Sequence, residues 1–343
     1  MAAALMLGAA TAEGQNAIDE QGRRQGHWSR VDKDGTKIYE GEFVDGLETG
    51  TFTYYHSNGM VRIRNTYTEP GKRCNHEVYD EKGRLMAIGE YHQRNRHGLW
   101  KFYAEDGRLV KEATYNMGIK EGRHTIFTRK GDTSEVTLYR NNHRHGRWWK
   151  RIGEKGYITG TYVNGSLEGR LVEYDQEGML AREGYYADGQ KHGTYRYYEH
   201  GTLAVDERWS HGLLSERKIL LRTPEERYES VYNIVCLAAQ GKSRVAVYLR
   251  DGSKLLVQES ADAVYDRLGT ERFSSANRKS RVLVAVDAVQ GIGKDSEGRE
   301  ILLLEPQPDM AIFPDEDCMK MVNALRYEEH SPLDDILDRS PKH

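Results

Sequence analysis

Apolar and polar residues alternate along most of the chain, and the alternation restarts at a fixed interval. In Gly98-Leu99-Trp100-Lys101-Phe102-Tyr103 it follows the period of two of an extended strand, and beyond Gly107 the stretch from Arg108 to Tyr115 reads extended again. Two such segments joined by a glycine-bearing turn predict a β-hairpin. The frame recurs at Gly26, Gly50, Cys74, Gly98, Gly122, Gly146, Gly169 and Gly193, at 24-residue spacing with one interval of 23. A second glycine follows nine residues into the unit, at Gly35, Gly59, Gly83, Gly107, Gly131 and Gly178. An aromatic follows seventeen residues in, at Phe43, Tyr67, Tyr91, Tyr115, Tyr139 and Tyr186, with Tyr162 and Trp209 one place early. Between units, Asp45-Gly46, Asn164-Gly165, Asp188-Gly189 and His211-Gly212 tolerate positive φ and reverse the chain.

Eight units over residues 26–216, after a lead-in at 15–25, therefore predict a mainly β fold: an elongated antiparallel hairpin array of sixteen strands. Ordering the backbone costs about 1–2 kcal/mol per residue, whereas one buried large side chain returns about 1.5–3 kcal/mol. A lone hairpin would not stand, so each unit must bury its aromatics against the next, with the degenerate eighth unit and whatever follows it acting as a cap.

Gly50-Thr51-Phe52-Thr53-Tyr54-Tyr55 with Asn58-Gly59, and Gly193-Thr194-Tyr195-Arg196-Tyr197-Tyr198 with Gly201, resemble the MORN-type repeat, in the bacterial variant found in YwqK-like antitoxins. The resemblance covers residues 26 to about 216 and implies a fold and a binding or scaffold role, with no fixed chemistry. Cys74 and His76, in place of glycine and an aromatic, and Arg151, where tyrosine is usual, depart from the pattern and predict weaker stacking there.

After Glu216 the period stops, and residues 217–330 read as a small α+β domain. Thr223-Pro224-Glu225-Glu226 has the form of a capping box opening a helix to about Gln240, with Tyr228, Val231, Tyr232, Val235 and Ala239 as its apolar stripe. A hairpin follows at Arg244 to Leu249 and Lys254 to Gln258, then a short helix from Ala261 to Leu268, a strand pair at Arg281 to Val289 and Glu300 to Glu305, and a helix from Asp315 to Tyr327. Residues 331–343 read as a flexible tail. At the other end, residues 1–14 hold an apolar small-residue run closing on Ala10-Thr11-Ala12, like the end of a secretory signal without its basic start. That segment points to the periplasm or cell envelope, and otherwise the protein is cytoplasmic.

Composition narrows the chemistry. The 343 residues have 38% hydrophobic and 30% charged side chains and a mean hydropathy of −0.79. No segment approaches the roughly 18 apolar residues of a spanning helix. A net charge of −3 gives no long-range attraction to nucleic acid. Residues 217–343 carry 19 basic and 22 acidic side chains, which leaves 31 of each sign for the rest, so the array lacks the basic stripe that lipid docking by charge would want. Three dispersed cysteines form no zinc spacing. His97, His145 and His192 recur two units apart; four strands at about 4.8 Å separate successive members by roughly 19 Å, too far to share an ion. Gly291-Ile292-Gly293 lies between strands rather than before a helix, so it does not suit phosphate. Neither a metal, a cofactor nor a catalytic residue is expected.

Adjacent aromatics on one strand point to opposite faces, so one face keeps a ladder of Tyr55, Tyr79, Tyr103, Phe127, Tyr174 and Tyr198 that can meet solvent. Trp148-Trp149 should turn one indole outward and is the expected hot spot. The sequence thus reads as a non-enzymatic protein-interaction scaffold of the bacterial cell envelope, with a protein partner. One alternative is a cytoplasmic antitoxin-like protein that binds a toxin. Another is an enzyme domain at the C-terminus, aimed by the array, with its pocket between the second strand pair and the last helix.

Overall fold

The computed structural model describes residues 16–269 and 272–328. The expected signal segment, 1–14, and the expected tail, 331–343, lie outside the described residues. The chain divides into two lobes, Met1–Gly178 and Met179–His343.

The N-terminal lobe is a meander of antiparallel strands taken in sequence order, from Arg24–Val31 and Lys37–Val44 through Gly156–Val163 and Ser166–Tyr174. A short strand, Ala17–Ile18, covers the first edge by pairing with Arg24 and Gln25. Most turns between units have two successive positive φ angles, as in 53° at Asp45 and 79° at Gly46, the mirror-image turn whose twist matches the flanking strands; at Pro70-Gly71 only the glycine does. A bulge marks most unit starts. Glu40 faces Thr53 and Glu42 faces Thr49, so three residues beginning with Gly50, φ 57°, lie opposite Gly41 alone.

The third unit lacks that bulge. Cys74 stands where the others have glycine, and Asn65, Thr66 and Tyr67 stay in step with His76, Asn75 and Cys74. A residue with a Cβ resists the left-handed conformation, and the irregularity moves to the preceding strand, between Tyr67 and Glu69.

The C-terminal lobe holds a meander of Leu180–Ala187, Gln190–Glu199 and Thr202–Ser210 that runs past the expected end at Glu216, adding Leu213–Leu221 and Arg227–Ser230. The helix expected from Thr223 to Gln240 is not formed. Thr223-Pro224-Glu225-Glu226 is a turn closed by the Glu226 N–H donating to the Thr223 carbonyl, and Ile234–Ala239 is a strand. That strand is apolar on both sides, because it is the centre of a five-stranded sheet, and an apolar run of that length satisfies strand and helix patterns alike.

The sheet order is Lys254–Val257, Val245–Leu249, Ile234–Ala239, Val282–Ala285, Phe273–Asn277. One face packs Ile234, Leu237 and Val247 with Ile219, Leu221 and the helix α1, Ala261–Leu268. The other packs Val235, Cys236 and Val284 with Leu302, Leu304 and the helix α2, Glu316–Glu328, through Cys318 and Val322. The second strand pair is Val289–Lys294 with Glu300–Leu304, so Gly291-Ile292-Gly293 lies within a hairpin. The expected strand from Arg281 to Val289 is cut by a turn of 3-10 helix at Val286–Ala288.

Candidate functional site

The hairpin frame brings four columns of side chains together on one face. The residue two places after the unit start is Trp28, Phe52, Trp100, Trp148 or Tyr195 in five units, His124 and Leu171 in the fifth and seventh, and His76 in the third. It packs over a small residue of the preceding unit, two places before the closing aromatic. A methyl on Gly41, Gly89 or Gly184 would lie 2.1, 2.3 or 2.0 Å from the rings of Phe52, Trp100 and Tyr195. The residue two places before the unit start then lays a cation across the rings. Arg24 lies 4.8 Å from Trp28, Arg96 4.8 Å from Trp100 and 5.6 Å from Tyr115, Lys120 5.2 Å from Tyr139, and Arg144 5.2 Å from Tyr162. In the C-terminal lobe Lys191 lies 4.2 Å from Tyr195 and 4.3 Å from Trp209. These contacts close the aromatic face with the protein's own charges.

Where the second unit meets the third, the closing aromatic Tyr67 is kept and the positions around it change. Glu48 replaces the cation, Asn65 the small residue, Cys74 the glycine and His76 the aromatic. These four line a cavity of about 330 Å³, together with Tyr67 and Tyr91. Lys72 and Arg94, both exposed, also border it. His76 is smaller than the indoles of the regular units, and here it coincides with Asn65 in the small-residue column and with a register that has no bulge.

Tyr67 donates its hydroxyl to Glu48 Oε2 at 2.9 Å, and His76 Nδ1 lies 2.7 Å from Asn65 Oδ1. The imidazole packs edge-on to Tyr91, with ring centres 4.8 Å apart. Burial, helped by Arg96, holds the His76 pKa down at about 4, so the ring is neutral at physiological pH. Burial, with Glu48 adding to it, pushes the Cys74 thiol up to about 11 and keeps it protonated. The arrangement can hold charge and hydrogen-bond a small molecule; it offers no thiolate and only a weak base. Arg94 reaches the cavity from a turn in which Gln93 and Arg94 have φ 50° and 65°. The second position is glycine in most of the other turns.

The expected binding residues are placed differently. Tyr55, Tyr79, Tyr103, Tyr174 and Tyr198 are all half-buried, not an open ladder. Tyr55 lies under Lys37 and donates to Glu40, Tyr79 lies under Arg64 and donates to Glu77, and Tyr198 donates to Glu183. Tyr174 stacks on Tyr157 at 4.8 Å. Neither Trp148 nor Trp149 turns outward. Trp148 donates Nε1–H to Glu135 at 2.8 Å, and Trp149 stacks on Tyr157 beneath Arg151. Long charged stems close the second face. Among the histidines, the ring nearest His97 is His92, at 5.6 Å, and the ring nearest His192 is His211, at 4.7 Å. No group of three or more metal-ligating side chains occurs among the described residues.

A larger cavity, about 850 Å³, lies within the C-terminal lobe, lined by Tyr197, Trp209, Arg217 and Arg272 among others, with Leu213, Leu214 and Tyr232 at its edge. These last three are 75%, 45% and 64% exposed. Glu207 is buried in its wall, held by Arg217 at 2.8 Å and by the Trp209 Nε1–H at 2.7 Å. The pocket expected between the second strand pair and the last helix does not coincide with either cavity.

Sequence reasoning found Cys74 and His76 as departures but missed Glu48, Asn65 and Arg94. Aligning the units on the cation, small-residue and turn columns would have exposed all three.

Residues 96–117 match the family model of the MORN repeat variant, so the repeat is of that type. The matched segment is the unit in which Arg96, Gly98, Trp100, Ala113 and Tyr115 hold every column. No curated protein matches the chain. Among solved structures, the crystal structure of TcdB2-TccC3-TEV is similar over 84% of this chain and 14% of that chain, at 10% identity and a TM-score of 0.16. This chain thus spans a small part of that one, and a likeness of that size carries no argument. Among the described residues, no helix is long and apolar enough to cross a membrane.

Proposed function

We propose that this chain, built on MORN-variant repeats, is a non-enzymatic scaffold of the bacterial cell envelope that holds a protein partner on its C-terminal lobe. The observation that carries this is the exposed apolar edge of Leu213, Leu214 and Tyr232 beside a cavity with aromatic and basic walls. Exposed apolar side chains around a concave aromatic surface are what protein partners bury. A binding role also fits the thiols: burial raises Cys74, Cys236 and Cys318 to about 11, 12 and 11, leaving no ready nucleophile among them. Placement in the envelope rests on the apolar run at the N-terminus.

Cross-linked capture from native cells with the full chain tests the partner surface. Leu213→Glu and Tyr232→Ala, on exposed positions, should release a partner that wild type retains, while Leu99→Glu on the N-terminal lobe should not. Capture that is the same for all four proteins would remove this surface from the proposal. Export is tested by sequencing the N-terminus of the native protein, which should begin near Gln15.

A further inference from the structure

We propose that the cavity between the second and third repeats binds a small zwitterion, an ammonium close to a carboxylate, of the free amino acid class. This ligand site is separate from the partner surface and stands or falls without it.

The repeats supply their own control. Units one, four, five, six and eight seat a lysine or arginine over the closing aromatic, with the cation 4.3 to 5.6 Å from the ring centre. In unit two that aromatic is Tyr67, and the residue that should cover it is Glu48. The charge at this seat is inverted, and among the described residues the side-chain partner of Glu48 is the Tyr67 hydroxyl rather than a cation. A carboxylate beside tyrosine rings is the chemistry that receives an ammonium from outside.

The opposite sign is also present. Lys72 and Arg94 border the same cavity, and Arg94 does so from a left-handed conformation that is unfavourable for a residue with a Cβ. A plain cation would meet these two side chains unfavourably, and a plain anion would meet Glu48. A molecule bearing both signs finds a complement at each. A volume of about 330 Å³ is at the small end of ligand cavities and suits a single amino acid rather than a peptide.

Isothermal titration of the full chain with glycine, L-lysine and L-glutamate, and with putrescine and succinate as single-sign probes, tests this. At least one amino acid should bind saturably and at least tenfold more tightly than either single-sign probe. Glu48→Lys restores the cation of the regular units, so it should keep or raise Tm while weakening amino acid binding more than tenfold. Should that variant fail to fold, Glu48→Gln, nearly isosteric, should show the same loss. Arg94→Gly should weaken the amino acid and leave putrescine unchanged or tighter. The proposal is overturned if none of the amino acids binds, if putrescine or succinate binds as tightly, or if both Glu48 variants bind like wild type.

Discussion

The two lobes bury apolar surface in different ways. In the N-terminal lobe, Trp100, Ala113 and Tyr115 form a small cluster with Tyr91 and Phe102 leaning on it, and every member lies within one repeat of the others. In the C-terminal lobe the five-stranded sheet is packed on both faces, and Ile234, Val235, Cys236 and Leu237 have no exposed surface. The first arrangement depends on nearest neighbours, so damage to it should stay local. The second joins residues from Ala204 to Val322, so damage to it should spread.

The largest test of that contrast is Arg267. This buried side chain on α1 bonds Glu259, the Leu220 carbonyl and Glu199, tying the helix to the last strands of the array. Arg267→Ala removes the closest partner of the buried Glu259 and leaves it only Arg222, at 3.7 Å and through its backbone N–H at 3.2 Å, which should cost about 3 kcal/mol. Hydrogen exchange should show protection lost throughout the C-terminal sheet and kept around Trp100. Protection lost equally in both lobes would mean that they unfold as one.

Gly89→Ala is the matching lesion in the N-terminal lobe. Its added methyl meets the Trp100 ring at 2.3 Å, and overpacking of this kind should cost about 1–3 kcal/mol. Exchange should rise in Leu85–His92 and Asn95–Tyr103 and be unchanged at Leu237.

A third test sets the interrupted repeat against the regular ones. The pKa of His76 is about 4 when folded, against an ordinary 6.5, so the unfolded chain binds the proton more readily. The contribution to stability is therefore complete above about pH 6.5 and is lost as pH falls toward 4. After a discount for the partial exposure of the ring, the loss is on the order of 2 kcal/mol. His76→Phe, which restores the aromatic column, should flatten this part of the urea-denaturation pH profile. An unchanged profile would place the titrating group elsewhere. The smallest effect expected is from Arg94→Gly, which relieves the left-handed arginine and should add about 1 kcal/mol, read as a rise in Tm.

The helix from Ala261 to Leu268 was legible to the residue, because Ser260 caps it through the Ala263 N–H and Gly269 ends it, both local signals. The helix expected from Thr223 failed because proline after threonine suits a turn as well as a helix start, and the far end of the expected helix, Ile234–Ala239, is buried on both sides of a sheet. Alternation along the strand gave the expectation that one indole of Trp148-Trp149 turns outward, and both are half-buried. The covering of each face by Glu135, Tyr157 and Arg151 comes from neighbouring strands and turns, and alternation along a single strand cannot show it.

The 24-residue period, the turn residues and the hairpin frame were written in the sequence itself, because φ preference and period-two alternation act over a few residues. Which departures from the frame meet was decided only in three dimensions. Glu48, Asn65, Cys74, His76 and Arg94 span 47 residues and several strands, and only antiparallel pairing brings them around one cavity. Register across strands sets such contacts, and register is fixed by packing and bulges rather than by any one strand.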